Sequence, residues 1–241
     1  MVKLAIVTGG TRGIGRAISE DLHNSGYLVI ANYANNDKSA KDFTDETGIE
    51  TFKWDVSDYY ACEQNIADIT KKFDLPVSVL VNNARVSKDS MLHKMEYENW
   101  YNVINTNLNS CFNMCKAVIS NMREQNYGRI INISSINALT GRIGVSNYSA
   151  AKAGMLGLTK SLAKESASKG ITVNAIAPGY VNTELLAGVS QEVMEEITRQ
   201  IPVKRLGRAD EIARLVKFLA SEDSGFITGE TISINGGHHI Q

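Results

Sequence analysis

Seven short runs rich in apolar and β-branched residues, spaced by stretches of helical periodicity, constrain this chain more tightly than anything else in it. The runs are Leu4–Thr8, Leu28–Tyr33, Thr51–Asp55, Val77–Asn82, Arg129–Ser134, Thr172–Ala177 and Thr231–Asn235. Several are nearly all apolar, the composition of parallel strands covered on both faces. The helix-like segments between them are Ile14–Ser25, Lys38–Thr47, Tyr59–Phe73, Tyr97–Glu124, Ser149–Lys169 and Asp210–Ser221. Such alternation predicts an α/β fold, a doubly wound seven-stranded parallel sheet with helices on both faces. A length of 241 residues and a 43% hydrophobic fraction fit one domain over 1–241. The rhythm breaks once, from Pro178 to about Gln200, in an insertion with a helical stretch of its own. At a sheet's carboxyl edge such an insertion is a candidate substrate lid, over about 178–205.

Composition narrows the partners. A net charge of −1 gives no reason to expect nucleic acid or a membrane surface. No apolar run approaches the ~18 residues of a spanning helix. The apolar start Leu4–Val7 runs into Gly9-Gly10, which reads as a strand entering a turn and not as an export signal. The 3 cysteines, Cys62, Cys111 and Cys115, form no CxxC. They read as small buried side chains in a reducing cytoplasm, with no metal expected.

The first strand leads through Thr8-Gly9-Gly10-Thr11-Arg12-Gly13-Ile14-Gly15 into a helix. Glycine permits positive φ and close backbone approach, and a new helix offers free N–H groups to a pyrophosphate. The strand–turn–helix context therefore marks a dinucleotide cradle in a Rossmann-type sheet, with Gly9, Thr11, Arg12, Gly13, Ile14 and Gly15 around the phosphates. NAD sites usually place an acid at the end of the second strand. Here that strand ends Asn32-Tyr33-Ala34-Asn35-Asn36, with no acid before Asp37. Arg12 is placed to pair with a 2′-phosphate, and Lys38 is a second candidate. The expected cofactor is NADP(H).

Ser134-Ser135 closes the fifth run; Tyr148 follows, and Lys152 lies four residues on, one helical turn away. With the TGxxxGxG turn upstream, this set resembles the short-chain dehydrogenase/reductase family over essentially the whole chain. The resemblance implies a catalytic set of Asn107, Ser135, Tyr148 and Lys152. It also implies cofactor contacts from Asp55 and Val56 at the adenine, from Asn83, and from Pro178, Gly179, Val181 and Thr183 at the carboxamide. Asn235-Gly236-Gly237 matches the family's C-terminal signature. The chemistry fits these residue types. Hydride arriving at a carbonyl carbon builds charge on the oxygen, which needs a proton donor. A free tyrosine titrates at about 10. A nearby Lys152 ammonium is expected to lower Tyr148 and to bond the nicotinamide ribose. Ser135 would hold the substrate oxygen, and Asn107 would anchor a water linking Lys152 to solvent.

One departure stands out. The fourth run ends Asn82-Asn83-Ala84-Arg85, where the family pattern is Asn-Asn-Ala-Gly. Arg85 is expected to crowd the cofactor and weaken its binding, more so if the site demands positive φ. A block there would leave a non-catalytic dinucleotide-binding protein.

Asn105-Thr106-Asn107-Leu108, Gly128–Ser135 and Pro202–Gly207 followed by Asp210-Glu211-Ile212-Ala213 resemble the bacterial 3-oxoacyl thioester reductases. These form an (R)-3-hydroxyacyl thioester and divide into two kinds. Acetoacetyl-CoA reductases supply polyhydroxybutyrate synthesis; 3-oxoacyl-[acyl-carrier-protein] reductases serve fatty-acid synthesis. Carrier docking uses two bases, and this chain has Asn126 and Lys169 at those places. That favours the CoA thioester. Arg142, Val145 and Tyr180 are the expected substrate contacts beside Ser135 and Tyr148. Against the CoA reading, the Arg142–Val145 loop lacks the glutamines and aromatic of those enzymes. The resemblance also implies a homotetramer packed through residues 97–124 and 149–169. His238 and His239 read as an exposed tail.

Overall fold

The computed structural model describes residues 2–186 and 188–240. Seven strands form one parallel sheet: β1 Leu4–Val7, β2 Leu28–Tyr33, β3 Glu50–Lys53, β4 Val77–Asn82, β5 Gly128–Ile133, β6 Ile171–Pro178 and β9 Thr231–Ile234, in the order β3-β2-β1-β4-β5-β6-β9. Between β6 and β9 lie two short strands, β7 Val181–Asn182 and β8 Gly207–Arg208, which pair with each other. The helices are α1 Gly13–Asn24, α2 Asp37–Thr47, α3 Tyr59–Phe73, α4 Tyr97–Ile104, α5 Ser110–Gln125, α6 Asn137–Thr140, α7 Ser146–Ser166, α8 Gln191–Gln200 and α9 Ala209–Ala220. No helix among the described residues is long and apolar enough to cross a membrane.

The central strands β1, β4, β5 and β6 are buried along their whole length because both faces of the sheet are covered. Successive side chains alternate across a strand. Ala5 and Val7 of β1, with Val79, Val81, Ile131 and Ile133, meet Ile18 and Leu22 of α1 and Ile212, Val216 and Leu219 of α9. Leu4 and Ile6, with Ile30, Leu80 and Ile130, meet Ile66 and Ile69 of α3 and Met114, Val118 and Met122 of α5. Truncating any fully buried member of either layer, such as Leu4, costs about 2–5 kcal/mol.

Strand order reverses between β1 and β4, so the carboxyl ends of these two strands flank the crevice where such sheets bind ligands. Two boundaries differ instructively from the sequence pattern. α7 starts at Ser146, so Tyr148 lies in its first turn. The long helix expected over Tyr97–Glu124 is broken by a π-helical turn at Asn105–Asn109, a device that recurs at functional sites. The insertion after Pro178 carries the β7–β8 pair and α8, and Ile201 and Val203 line a recess there with Tyr180 and Ile234.

Candidate active site

The crevice floor is a stitched turn. Asn83 N and Ala84 N both donate to Thr8 Oγ1, at 2.9 and 3.0 Å. The Asn83 side-chain amide donates to the carbonyls of Thr8 (2.9 Å) and Gly9 (3.1 Å). Gly10 N donates to Asn32 O at 2.9 Å, tying the turn to β2. Close approach explains Gly15: a Cβ there would lie 2.1 Å from Gly9 O and 2.6 Å from Asn83 Nδ2. Gly13, at φ +52°, has nothing nearer than Thr183 Cγ2, 3.7 Å from where its Cβ would stand. Gly13 therefore faces Thr183 at contact distance.

The glycine turn and the start of α1 fit a dinucleotide's pyrophosphate. Helices α2 and α3 are capped by Asn36 and Asp58 side chains. Helix α1 has no such cap: Arg12 makes no side-chain cap bond, and no acid stands in the first turn. Its leading N–H groups are left to a ligand. On the ribose side Asp37 is engaged by Lys53 at 2.8 Å, and Lys38 by Asp42 at 3.0 Å. Arg12 is exposed beside the turn. Asp55 is exposed, but one carboxylate oxygen already accepts from Ser57 N (2.8 Å) and Ser57 Oγ (2.7 Å). Val56 turns its side chain into the core and can offer an adenine only its backbone.

The chemical end is built where β5 meets α7. Ser135 follows β5, is almost fully buried, and its Oγ accepts from Asn137 N at 3.1 Å. Tyr148 N donates to Asn147 Oδ1 at 2.7 Å. Lys152, 1% exposed, donates from Nζ to Ile133 O at 2.6 Å. Ser134 Oγ donates to Lys152 O at 3.0 Å, which locks the strand end to the helix. The Lys152 ammonium stands 5.8 Å from the Tyr148 ring centre. The π-helical turn delivers Asn107 into the interior, where its Oδ1 accepts from Val86 N (2.8 Å) and its Nδ2 donates to Val86 O (2.9 Å).

The electrostatics correct one expectation. Lys152 does not depress Tyr148: burial raises the phenol, while the Arg85 charge and the Ser135 hydroxyl pull against that rise. Burial also brings Lys152 down to about 8.

Residues 9–239 match the short-chain dehydrogenase family model described as Enoyl-(Acyl carrier protein) reductase. This chain belongs to the short-chain dehydrogenase/reductase family. It is 58% identical to the acetoacetyl-CoA reductase of Shinella zoogloeoides, over 98% of each chain. Identity to the acetoacetyl-CoA reductase of Rhizobium meliloti is 56%, over the whole of both chains. The 3-oxoacyl-[acyl-carrier-protein] reductase FabG of Haemophilus influenzae is 42% identical, over 99% of this chain and 98% of that one.

Within this family member, Ser135, Tyr148, Lys152 and the glycine turn gather at one sheet edge, as the spacing implied. Asn83 arrives as the stitch of the turn, with its side chain already bonded. Asn107 arrives as a clamp on Val86. Val145 is buried at the head of α7, which leaves Arg142 and Tyr180 as the more accessible expected substrate contacts. The Arg142 guanidinium sits 5.8 Å over the Tyr180 ring. The histidine tail needs correction: His238 and His239 are partly buried, and His238 stacks on Tyr180 with ring centres 5.8 Å apart. Asn235 Nδ2 donates to His239 O at 2.9 Å, which folds the tail back. Arg85 is also corrected. It is not among the positive-φ residues, so the backbone strain expected there is absent.

Sequence reasoning missed Asn147. Fully buried, it donates to Lys88 O (3.0 Å) while holding the Tyr148 backbone. Its position just before the tyrosine was the one available signal. The polar chain Asn82–Asn132–Thr159, linked at 2.8 and 2.9 Å beneath the site, left no mark in the pattern.

Proposed function

We propose that this protein is an acetoacetyl-CoA reductase that uses NADPH and forms the (R)-3-hydroxybutyryl thioester. The observation that carries the reading is the join of β5 to α7, where Lys152 binds Ile133 O and brings Ser135 and Tyr148 to the glycine cradle. The substrate is taken from the relatives named acetoacetyl-CoA reductase, at 55–58% identity.

When bound, the dinucleotide supplies hydride to the ketone carbon. Gly13, Gly15 and the uncapped start of α1 hold its pyrophosphate, and Thr183 faces Gly13. Arg12, which makes no ion pair among the described residues, is the cation for a 2′-phosphate, because Asp37 is neutralised by Lys53 and Lys38 by Asp42. Pro178, Gly179 and Val181 line the segment that meets the carboxamide. Ser135 Oγ donates to the substrate oxygen, and Tyr148 gives it the proton. Burial that raises Tyr148 keeps the phenol protonated, the form a general acid needs in the direction of reduction. Lys152, near 8, stands 5.8 Å from the Tyr148 ring centre on the same helix face, with its ammonium anchored on Ile133 O. Asn107 acts by fixing Val86 beside the site. The segment 178–205 serves as the lid, with Tyr180 over the substrate. Exposed Tyr97, Tyr101 and Phe112 on α4 and α5 support packing of these helices in a homotetramer. Three free, buried thiols suit the cytoplasm.

The second reading is a carrier-protein thioester. Asn126 and Lys169, the places of the carrier-docking bases, adjoin: a Cβ on Gly170 would lie 2.4 Å from Asn126 O. Asn126 adopts φ 53° at the end of α5, a conformation asparagine tolerates better than a long base. With one base left, CoA is the better substrate. Steady-state kinetics with NADPH test this. Acetoacetyl-CoA should give the higher kcat/KM; a higher value for the carrier-bound thioester would reverse the assignment.

A further inference from the structure

We propose that Arg85 is a specificity-determining residue that binds the second carbonyl oxygen of a 1,3-dicarbonyl substrate while Ser135 and Tyr148 hold the first. The proposal rests on the thioester reading above and says which feature of that substrate the site recognises.

Arg85 follows the Asn83-Ala84 stitch directly, at the carboxyl end of β4, and is exposed. Its neighbour Val86 is clamped through both backbone polar groups by Asn107, at 2.8 and 2.9 Å. The same loop is fixed further on, where Asn147 Nδ2 donates to Lys88 O (3.0 Å) and Ser90 N to Gly144 O (2.8 Å). The backbone that carries Arg85 is therefore held to the two helices that carry Asn107 and Tyr148. Held between Asn107 and Asn147, the residue before Tyr148, this loop puts Arg85 at the reacting end of the crevice, and its charge is felt at both Tyr148 and Lys152. Asp89 is the acid nearest in sequence, and its charge is also felt at Tyr148. Neither Arg85 nor Asp89 makes an ion pair or side-chain hydrogen bond among the described residues, whereas Arg16 and Arg205 are held by Glu20 and Glu211.

An unpaired guanidinium on a fixed backbone, near a proton-donating phenol, has donors to spare for an oxygen acceptor. A simple ketone offers one oxygen, which Ser135 and Tyr148 take. A 3-oxo thioester offers a second, two carbons away, and hydride transfer leaves it in place. Arg85 therefore adds binding and orientation for the dicarbonyl alone. It touches no reacting atom.

The test compares wild type with Arg85→Gly and Arg85→Lys on acetoacetyl-CoA and on a monoketone of similar length, with NADPH binding followed by fluorescence. Arg85→Gly should lose about 10- to 100-fold in kcat/KM for the thioester, mostly through KM, as expected for one charge-assisted hydrogen bond. Its NADPH affinity should stay within twofold, and its loss on the monoketone should be clearly smaller, limited to what removing the Arg85 charge does to Tyr148. Arg85→Lys should recover part of the loss. Equal losses on both substrates would overturn the proposal, as would no loss on either. Tighter NADPH binding in the glycine variant with unchanged discrimination would overturn it too, and would make Arg85 a cofactor-crowding residue. A wild type that reduces the monoketone but not the thioester would sink the thioester reading and this proposal together.

Discussion

The two sides of the crevice are made of different material. The cofactor side is backbone: Thr8, Gly9, Gly15 and Asn83 are locked so closely that Gly15 has no room for one methyl group. The substrate side is side chain: Arg85 projects from its loop, unpaired among the described residues, and Arg142 and Tyr180 lean on each other and on His238. A backbone cradle tolerates little change and binds the group common to many reactions. A side-chain rim can change freely and decides which ketone enters. The join between them, Ser135–Tyr148–Lys152, belongs to neither alone.

The largest effect should come from that join. Tyr148→Phe keeps the ring and removes the proton donor, and turnover should fall by about 10²- to 10⁴-fold. NADPH binding, measured by fluorescence, should persist; a fast variant would mean the donor is elsewhere. Next comes the cradle. Gly15→Ala puts a methyl against Gly9 O and should cost about 1–3 kcal/mol of stability with loss of NADPH binding. Retained affinity would break the contrast between a rigid floor and a permissive rim.

Those two predictions use positions that were legible in the sequence, and the reason is physical. The cradle depends on backbone geometry that only glycine allows, and Tyr148 and Lys152 depend on helix periodicity, so both leave residue types at fixed spacing. The strands were legible because burial on both faces demands continuous apolar runs. What stayed hidden depends on tertiary contact. The π-helical turn that aims Asn107 inward has no composition of its own. Neither does Asn147, whose value lies in Lys88 O and the Tyr148 backbone meeting it. The histidine tail looked polar and free, yet Tyr180 supplies a ring for His238 to stack on. The direction of the Tyr148 shift was misjudged because spacing shows proximity and not burial.

A smaller effect concerns the boundary between cradle and rim. Arg12→Ala should weaken NADPH by about tenfold, the scale of one exposed charge-assisted contact, and leave NADH unchanged. Equal weakening of both would assign the 2′-phosphate elsewhere. Smallest on the activity scale, yet clear in stability, is the titration of Lys152. Its folded value, about 8, lies below the ordinary lysine value of 10.5. Between these values the unfolded chain holds the extra proton, so stability rises with pH across that window. The full rise is on the order of 3 kcal/mol. The stability of wild type relative to Lys152→Met should therefore improve from pH 8 to 10; a flat difference would show that Lys152 is not desolvated.

The most direct test follows the hydride itself. NADPH deuterated at the transferable position of its nicotinamide is mixed with acetoacetyl-CoA, and the product is examined by mass spectrometry. Deuterium on carbon 3 of a 3-hydroxybutyryl thioester, absent with Tyr148→Phe, is the result predicted. Absence of that product, with deuterium instead entering the double bond of an unsaturated thioester offered in parallel, would contradict it.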